Sequence, residues 1–199
     1  MNKYFELYQA GCHTLDNLSG GMIASAKKLR GALAAELLRQ MCNQYFEENG
    51  ISVKASPVNV YINGSKYEYD VLFVKSSAEP FYNLAYQPED VVAVIESKAG
   101  GLFNVEGETT NIAKAVNRAW ELNNDIRFGY ITMSENVPKH STNALGYPTV
   151  HHWELTQRFL AEKVYAEHVI YAVTLHQGKN LCDKGSDEEF YKFIDALVR

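Results

Sequence analysis

The sequence predicts an α/β fold of order αβββαβ, with a mixed central sheet flanked by helices. Three observations carry this reading. Apolar residues recur every three or four places from Met22 to Tyr45, two later runs are almost purely apolar, and a second helical pattern leads into one more strand.

In chain order, the N-terminus is read as a short helix followed by a turn-rich stretch, GCHTLDNLSGG. A long helix begins at Met22, its face marked by Ala26, Leu29, Leu33, Leu37, Met41 and Tyr45; Gly31 is a candidate break and Gly50 closes it. ISVKASPVNVYI is then a strand, bent or interrupted at Pro57 because proline cannot donate to a ladder. Asn63 and Gly64 supply a hairpin turn, and residues 67–75 return antiparallel. The loop SSAEPFYNLAYQPED feeds the strand VVAVIESK, after which Gly100 and Gly101 allow either a plain turn or the close approach of a phosphate. A helix near residues 108–124 turns Ile112, Val116, Ala119 and Trp120 to the core and Lys114, Asn117 and Arg118 elsewhere, and a strand follows at 127–133. Beyond an aromatic, proline-containing stretch, HVIYAVTLHQG reads as a strand, and Ser186 with Glu189 forms a capping box for a last helix.

The chemistry gathers at two strand ends. Side chains alternate along a strand, so Glu96 and Lys98 share a face with Ser97 turned away, and Glu68 and Asp70 pair likewise. Val71 to Val74 and Val91 to Ile95 are continuous apolar runs, the mark of strands covered on both faces. A bare charge there is costly to desolvate and needs compensation. One compensation is an ion pair of Lys98 with Glu96 or Asp70. The other is a divalent cation such as Mg²⁺, which takes one or two carboxylates and keeps waters for a phosphate substrate. Lys98 cannot ligate the ion, but its charge suits an incoming phosphate or a nucleophilic hydroxide.

An Asp, an intervening loop and Glu-x-Lys ending a hydrophobic strand resemble the PD-(D/E)XK nuclease superfamily, with Asp70, Glu96 and Lys98 matching its signature. The resemblance runs from about Gly31 to Met133 and includes Glu36, which stands where many members carry a helical acid. It implies a restriction-endonuclease-like core and a Mg²⁺- or Mn²⁺-dependent endonuclease acting on DNA. Asp70, Glu96 and the Ser97 carbonyl would hold the metal, and Lys98 would orient the attacking water. Glu36 lies at the edge of the apolar stripe, where it either looks into the site or faces water. The wording YQPEDVVAVIESKAGG is closer still to the NucC-like nucleases of bacterial defence. That likeness implies a homo-oligomer, dimer or trimer, and a cyclic oligonucleotide activator, with residues 134–166 available for its pocket. Restriction and abortive infection are both compatible with this chemistry, and no ordered Arg, Asn or Gln set announces a base code. The alternative is a noncatalytic binding or assembly module on the same fold.

At 199 residues the chain is expected to form a single domain over 1–199, with its core at about 31–133 and an elaboration at 134–199. No apolar run approaches the ~20 residues that span a bilayer, and MNKYFELYQAGCHTL lacks the basic and apolar regions of a signal peptide, so a cytoplasmic protein without membrane partners is expected. Cys12, Cys42 and Cys182 are odd in number and widely spaced, against both a disulfide framework and a zinc knuckle. The net charge of −5 argues against a protein that coats DNA nonspecifically, and leaves local clusters such as Lys27, Lys28 and Arg30, or Lys114 and Arg118, to meet phosphates.

Overall fold

A computed structural model describes residues 3–19, 23–98, 108–132, 170–174 and 187–199. Five strands form the main sheet in the order β1 (Val53–Ala55), β4 (Val71–Lys75), β6 (Val91–Lys98), β7 (Arg127–Thr132) and β8 (Ile170–Thr174). The first two pairings are antiparallel, while β6, β7 and β8 run parallel, so the sheet is mixed. Helices α2 (Ile23–Glu48) and α4 (Asp187–Val198) cover one face and α3 (Glu108–Leu122) the other. Leaving out the small sheet, α2, β1, β4, β6, α3 and β7 follow in the αβββαβ order.

Alternation along β6 decides which core each residue joins. Ala93 and Ile95 pack with Leu38, Phe46, Phe190 and Leu197 on the α2–α4 side, whereas Val94 packs with Val116 and Trp120 of α3. The expected core face of α3 is buried as read: Ile112, Val116, Ala119 and Trp120.

The N-terminal stretch expected to be turn-rich is helical as far as Ser19, forming α1 (Lys3–Ser19). Packing overrides propensity here. A Cβ on Gly11 would lie 2.5 Å from Leu33 Cδ2, so glycine lets α1 lie closely against α2. This second contact also widens the apolar face of α2. Leu33 and Leu37 are half-buried, Leu29 is exposed, and the deepest residues are Ala34, Leu38, Cys42 and Phe46. The helix runs unbroken through Gly31. It ends where Gly50 takes a φ of 62° and the amides of Gly50 and Ile51 return to the carbonyls of Glu47 and Phe46.

Each of the two strands expected at 51–62 and 67–75 is divided by a corner. Residues 53–62 and 68–75 form one antiparallel ribbon that leaves the main sheet and enters a small second one, of order β3 (Glu68–Tyr69), β2 (Val60–Ile62), β5 (Ala85–Tyr86). The register slips by one residue across the corner, as a bulge does. Pro57 and Asn59, the latter at a φ of 60°, occupy the longer side. Ser56 secures the bend: its amide donates to Leu72 O at 2.8 Å and its hydroxyl accepts from Leu72 N at 2.9 Å.

Asn43 of α2 performs a similar service at the sheet edge, accepting from Ala55 N at 2.7 Å and donating to Ala55 O at 3.2 Å. Removing both bonds in Asn43→Ala should cost about 2 kcal/mol. Urea denaturation should show a lowered midpoint with an unchanged slope; an unchanged midpoint would mean that the edge strand does not depend on this side chain.

Candidate metal and phosphodiester site

Asp70 does not lie within a strand. It occupies the corner between β3 and β4, where the ribbon changes sheets. On β6 the antiparallel ladder with β4 reaches Val71 opposite Ile95 and goes no further. The next amide facing that edge, Ser97 N–H, donates to Asp70 Oδ2 at 2.8 Å. The carboxylate thus takes the rung that a backbone carbonyl would have filled.

This bond places the rest of the site. In a strand, the residue whose N–H faces one neighbour also turns its C=O toward that neighbour. Ser97 therefore presents its carbonyl to the edge where Asp70 lies. Glu96 is one residue earlier and two beyond Val94, on the face covered by α3. Asp70 and Glu96 are both half-buried, while Ser97 is only 7% exposed. The Ser97 hydroxyl has no hydrogen-bond partner among the described residues. Lys98 ends β6 opposite Thr132 of β7; its ammonium lies outside what the structure describes.

Two other acids fall elsewhere. Glu68 is exposed in the second sheet and accepts from the Tyr61 hydroxyl at 3.1 Å, so the expected pairing of Glu68 with Asp70 on one strand face is lost at the corner. Glu36 accepts from Arg39 Nε at 2.8 Å and Arg39 Nη2 at 2.6 Å, and from Gln40 Nε2 at 2.8 Å. The Arg39 hydrogen bond holds its carboxyl below the usual carboxylate range.

Asp70 meets the Ser97 peptide at this corner and Glu96 precedes Ser97 on β6, so the donors these residues would offer are oxygens, two carboxylates and a peptide carbonyl, without sulfur or imidazole. Such a set fits a hard divalent cation that keeps part of its water shell. No cluster of three or more His, Cys, Asp or Glu side chains suited to a metal occurs among the described residues. The set here has two acids and one carbonyl. Cys42 is buried, which pushes its thiol well up, and Cys12 is half-buried; both are free. Cys182, Gly100, Gly101, Ser186 and the histidines from His140 to His152 lie outside the described residues. The role of the Ser97 amide was invisible beforehand, since a backbone group leaves no mark in the sequence.

Among solved structures, the cAAA-bound form of NucC from P. aeruginosa ATCC27853 is similar to this chain, with a TM-score of 0.47 and 14% sequence identity over 70% of this chain and 65% of that one. The chain thus spans less than two thirds of that neighbour, and the likeness is a distant one of fold. Neither a known protein family nor a curated protein matches the chain. No helix among the described residues is long and apolar enough to cross a membrane.

Proposed function

We propose that the chain is a Mg²⁺- or Mn²⁺-dependent endonuclease that hydrolyses phosphodiester bonds of DNA. The observation that carries this reading is the 2.8 Å bond from Ser97 N–H to Asp70, which sets one acid beside the Glu96–Ser97 peptide at the end of a shared ladder. Asp70, Glu96 and the Ser97 carbonyl would hold the ion, which supplies neutralisation of the charge that grows on the phosphate and the leaving 3′ oxygen. Lys98 orients the attacking water and favours loss of its proton. The water oxygen bonds to phosphorus as the bond to O3′ breaks, and the 3′ oxygen departs with a proton. Glu36 is proposed to act further out, through water, since Arg39 and Gln40 already engage its oxygens.

The setting we propose is bacterial or phage defence, by restriction or abortive infection, in the cytoplasm and as a homo-oligomer. Cyclic oligonucleotides belong in the assay because YQPEDVVAVIESKAGG resembles the NucC-like nucleases. A noncatalytic module is the second reading, favoured by the same bond, because an acid that caps the Ser97 amide has a structural use as well.

Nicking of supercoiled plasmid should require Mg²⁺ or Mn²⁺ and stop in EDTA, with or without a cyclic oligonucleotide. Lys98→Ala should bind Mn²⁺ as the parent does and lose roughly a hundredfold or more in nicking rate, the scale of removing one preorganised charge-stabilising group. A variant that cuts at the parent's rate removes Lys98 from the chemistry.

A further inference from the structure

On the α3 side of the sheet, the same face that Glu96 shares with Val94, the β2–β3 hairpin and α3 enclose an open groove of about 550 Å³. Gly64, Lys66 and Tyr67 form one wall; Lys114, Arg118 and Glu121 form the other. Three cations thus face one carboxylate, inside a chain whose net charge is −5.

The cations are not equivalent. Arg118 is a strut: its Nη1 donates to Glu121 at 2.8 Å and its Nη2 to Gly64 O at 2.9 Å, tying hairpin to helix. Gly64 holds a φ of 88° at the turn, a conformation that favours glycine. Lys66 and Lys114 are exposed, and neither forms an ion pair with an acid among the described residues. Lys66 instead lies 5.6 Å from the centre of the Tyr67 ring. Two ammonium groups without an acidic partner among the described residues therefore stand one on each wall, on a frame tied together by Arg118. An open groove with charges on both sides suits an extended polyanion better than a single enclosed phosphate.

The groove is tied to the candidate centre by one side chain. Tyr69, the residue before Asp70, donates its hydroxyl to Ala115 O at 3.0 Å, and Ala115 follows Lys114. We propose that this groove carries the DNA backbone to the Asp70–Glu96 centre, with Lys66 and Lys114 contacting phosphates and Arg118 positioning the wall. The proposal rests on the nuclease reading of that centre.

The test is equilibrium binding of a fluorescent DNA duplex in EDTA, where no cutting occurs, across a range of NaCl. The parent should bind with affinity that falls steeply as salt rises. Lys66→Gln/Lys114→Gln should bind more weakly and lower the slope of log affinity against log salt by roughly 2, at about 0.9 for each phosphate no longer neutralised. Both lysines are exposed, so the variant should fold as the parent does. An unchanged slope and affinity overturn the groove while Asp70-dependent nicking, measured separately, keeps the nuclease reading. A lowered slope without nicking keeps the groove and overturns the nuclease. A parent that neither binds nor nicks DNA overturns both.

Discussion

Asp70→Asn is expected to abolish metal-supported plasmid nicking while leaving the fold in place. The amide oxygen of asparagine can still accept the Ser97 N–H that Asp70 Oδ2 accepts at 2.8 Å, so the corner keeps its closing bond. What disappears is the negative charge that would face the proposed cation. Changing groups behind a metal's own ligands already costs 10–100-fold in affinity or activity, so loss of a ligand should cost about a hundredfold or more. Mn²⁺ titration calorimetry beside circular dichroism separates the two readings of the site. A folded variant that has lost both Mn²⁺ binding and nicking supports the nuclease. If parent and variant alike show no carboxylate-dependent binding, Asp70 is a structural cap and the noncatalytic module stands.

The second large effect concerns stability. Gly129 sits in β7 beneath α4, and a Cβ there would lie 2.7 Å from Leu197 Cδ1, 2.9 Å from Phe193 Cζ and 3.0 Å from Ile95 Cδ1. Those are ends of side chains, but Leu197 and Ile95 are wholly buried and Phe193 nearly so, leaving little room to retreat. Glycine is normally a poor strand residue. Here it is required by the closeness of the helix. Gly129→Val should cost about 3 kcal/mol, the upper end for overpacking a core. At roughly 2–4 °C per kcal/mol for a chain of this size, the melting temperature should fall by about 6–12 °C. An unchanged melting temperature would show that α4 can lift from the sheet without penalty.

The parts legible in the sequence were those where one periodicity governs one face. The core residues of α3 are of this kind, because that helix buries a single continuous stripe, and the apolar run of β6 was legible because both of its faces are covered. Reading failed where a second contact or a corner intervened. GCHTLDNLS is weak in helix formers, and its helical state goes with packing on α2, where Gly11 lies close to Leu33 and Tyr8 and Cys12 join the core. The α2 stripe was misplaced because that helix meets both the sheet and α1, so Leu29 is exposed and Ala34 buried. Pro57 did announce an interruption; that the chain also turns at Asp70 into a second sheet has no signature in residues 67–75, which read as an unbroken strand. For the candidate site the sequence names Asp70, Glu96 and Lys98 as a set; what the structure adds is the bond from Ser97 N–H to Asp70, which no residue type announces. The Arg39 and Gln40 bonds that engage Glu36 follow from helical spacings of three and four residues and were within reach of the same reading.

Where a two-stranded ribbon peels away from a sheet, the strand left behind is stranded too: its outward amides lose their partners and, where buried, demand replacements. On β6 the replacement is an acid. Closing that edge with the Ser97 bond draws the carboxylate to one spot, so the cohesion of the sheet itself holds the acid in place.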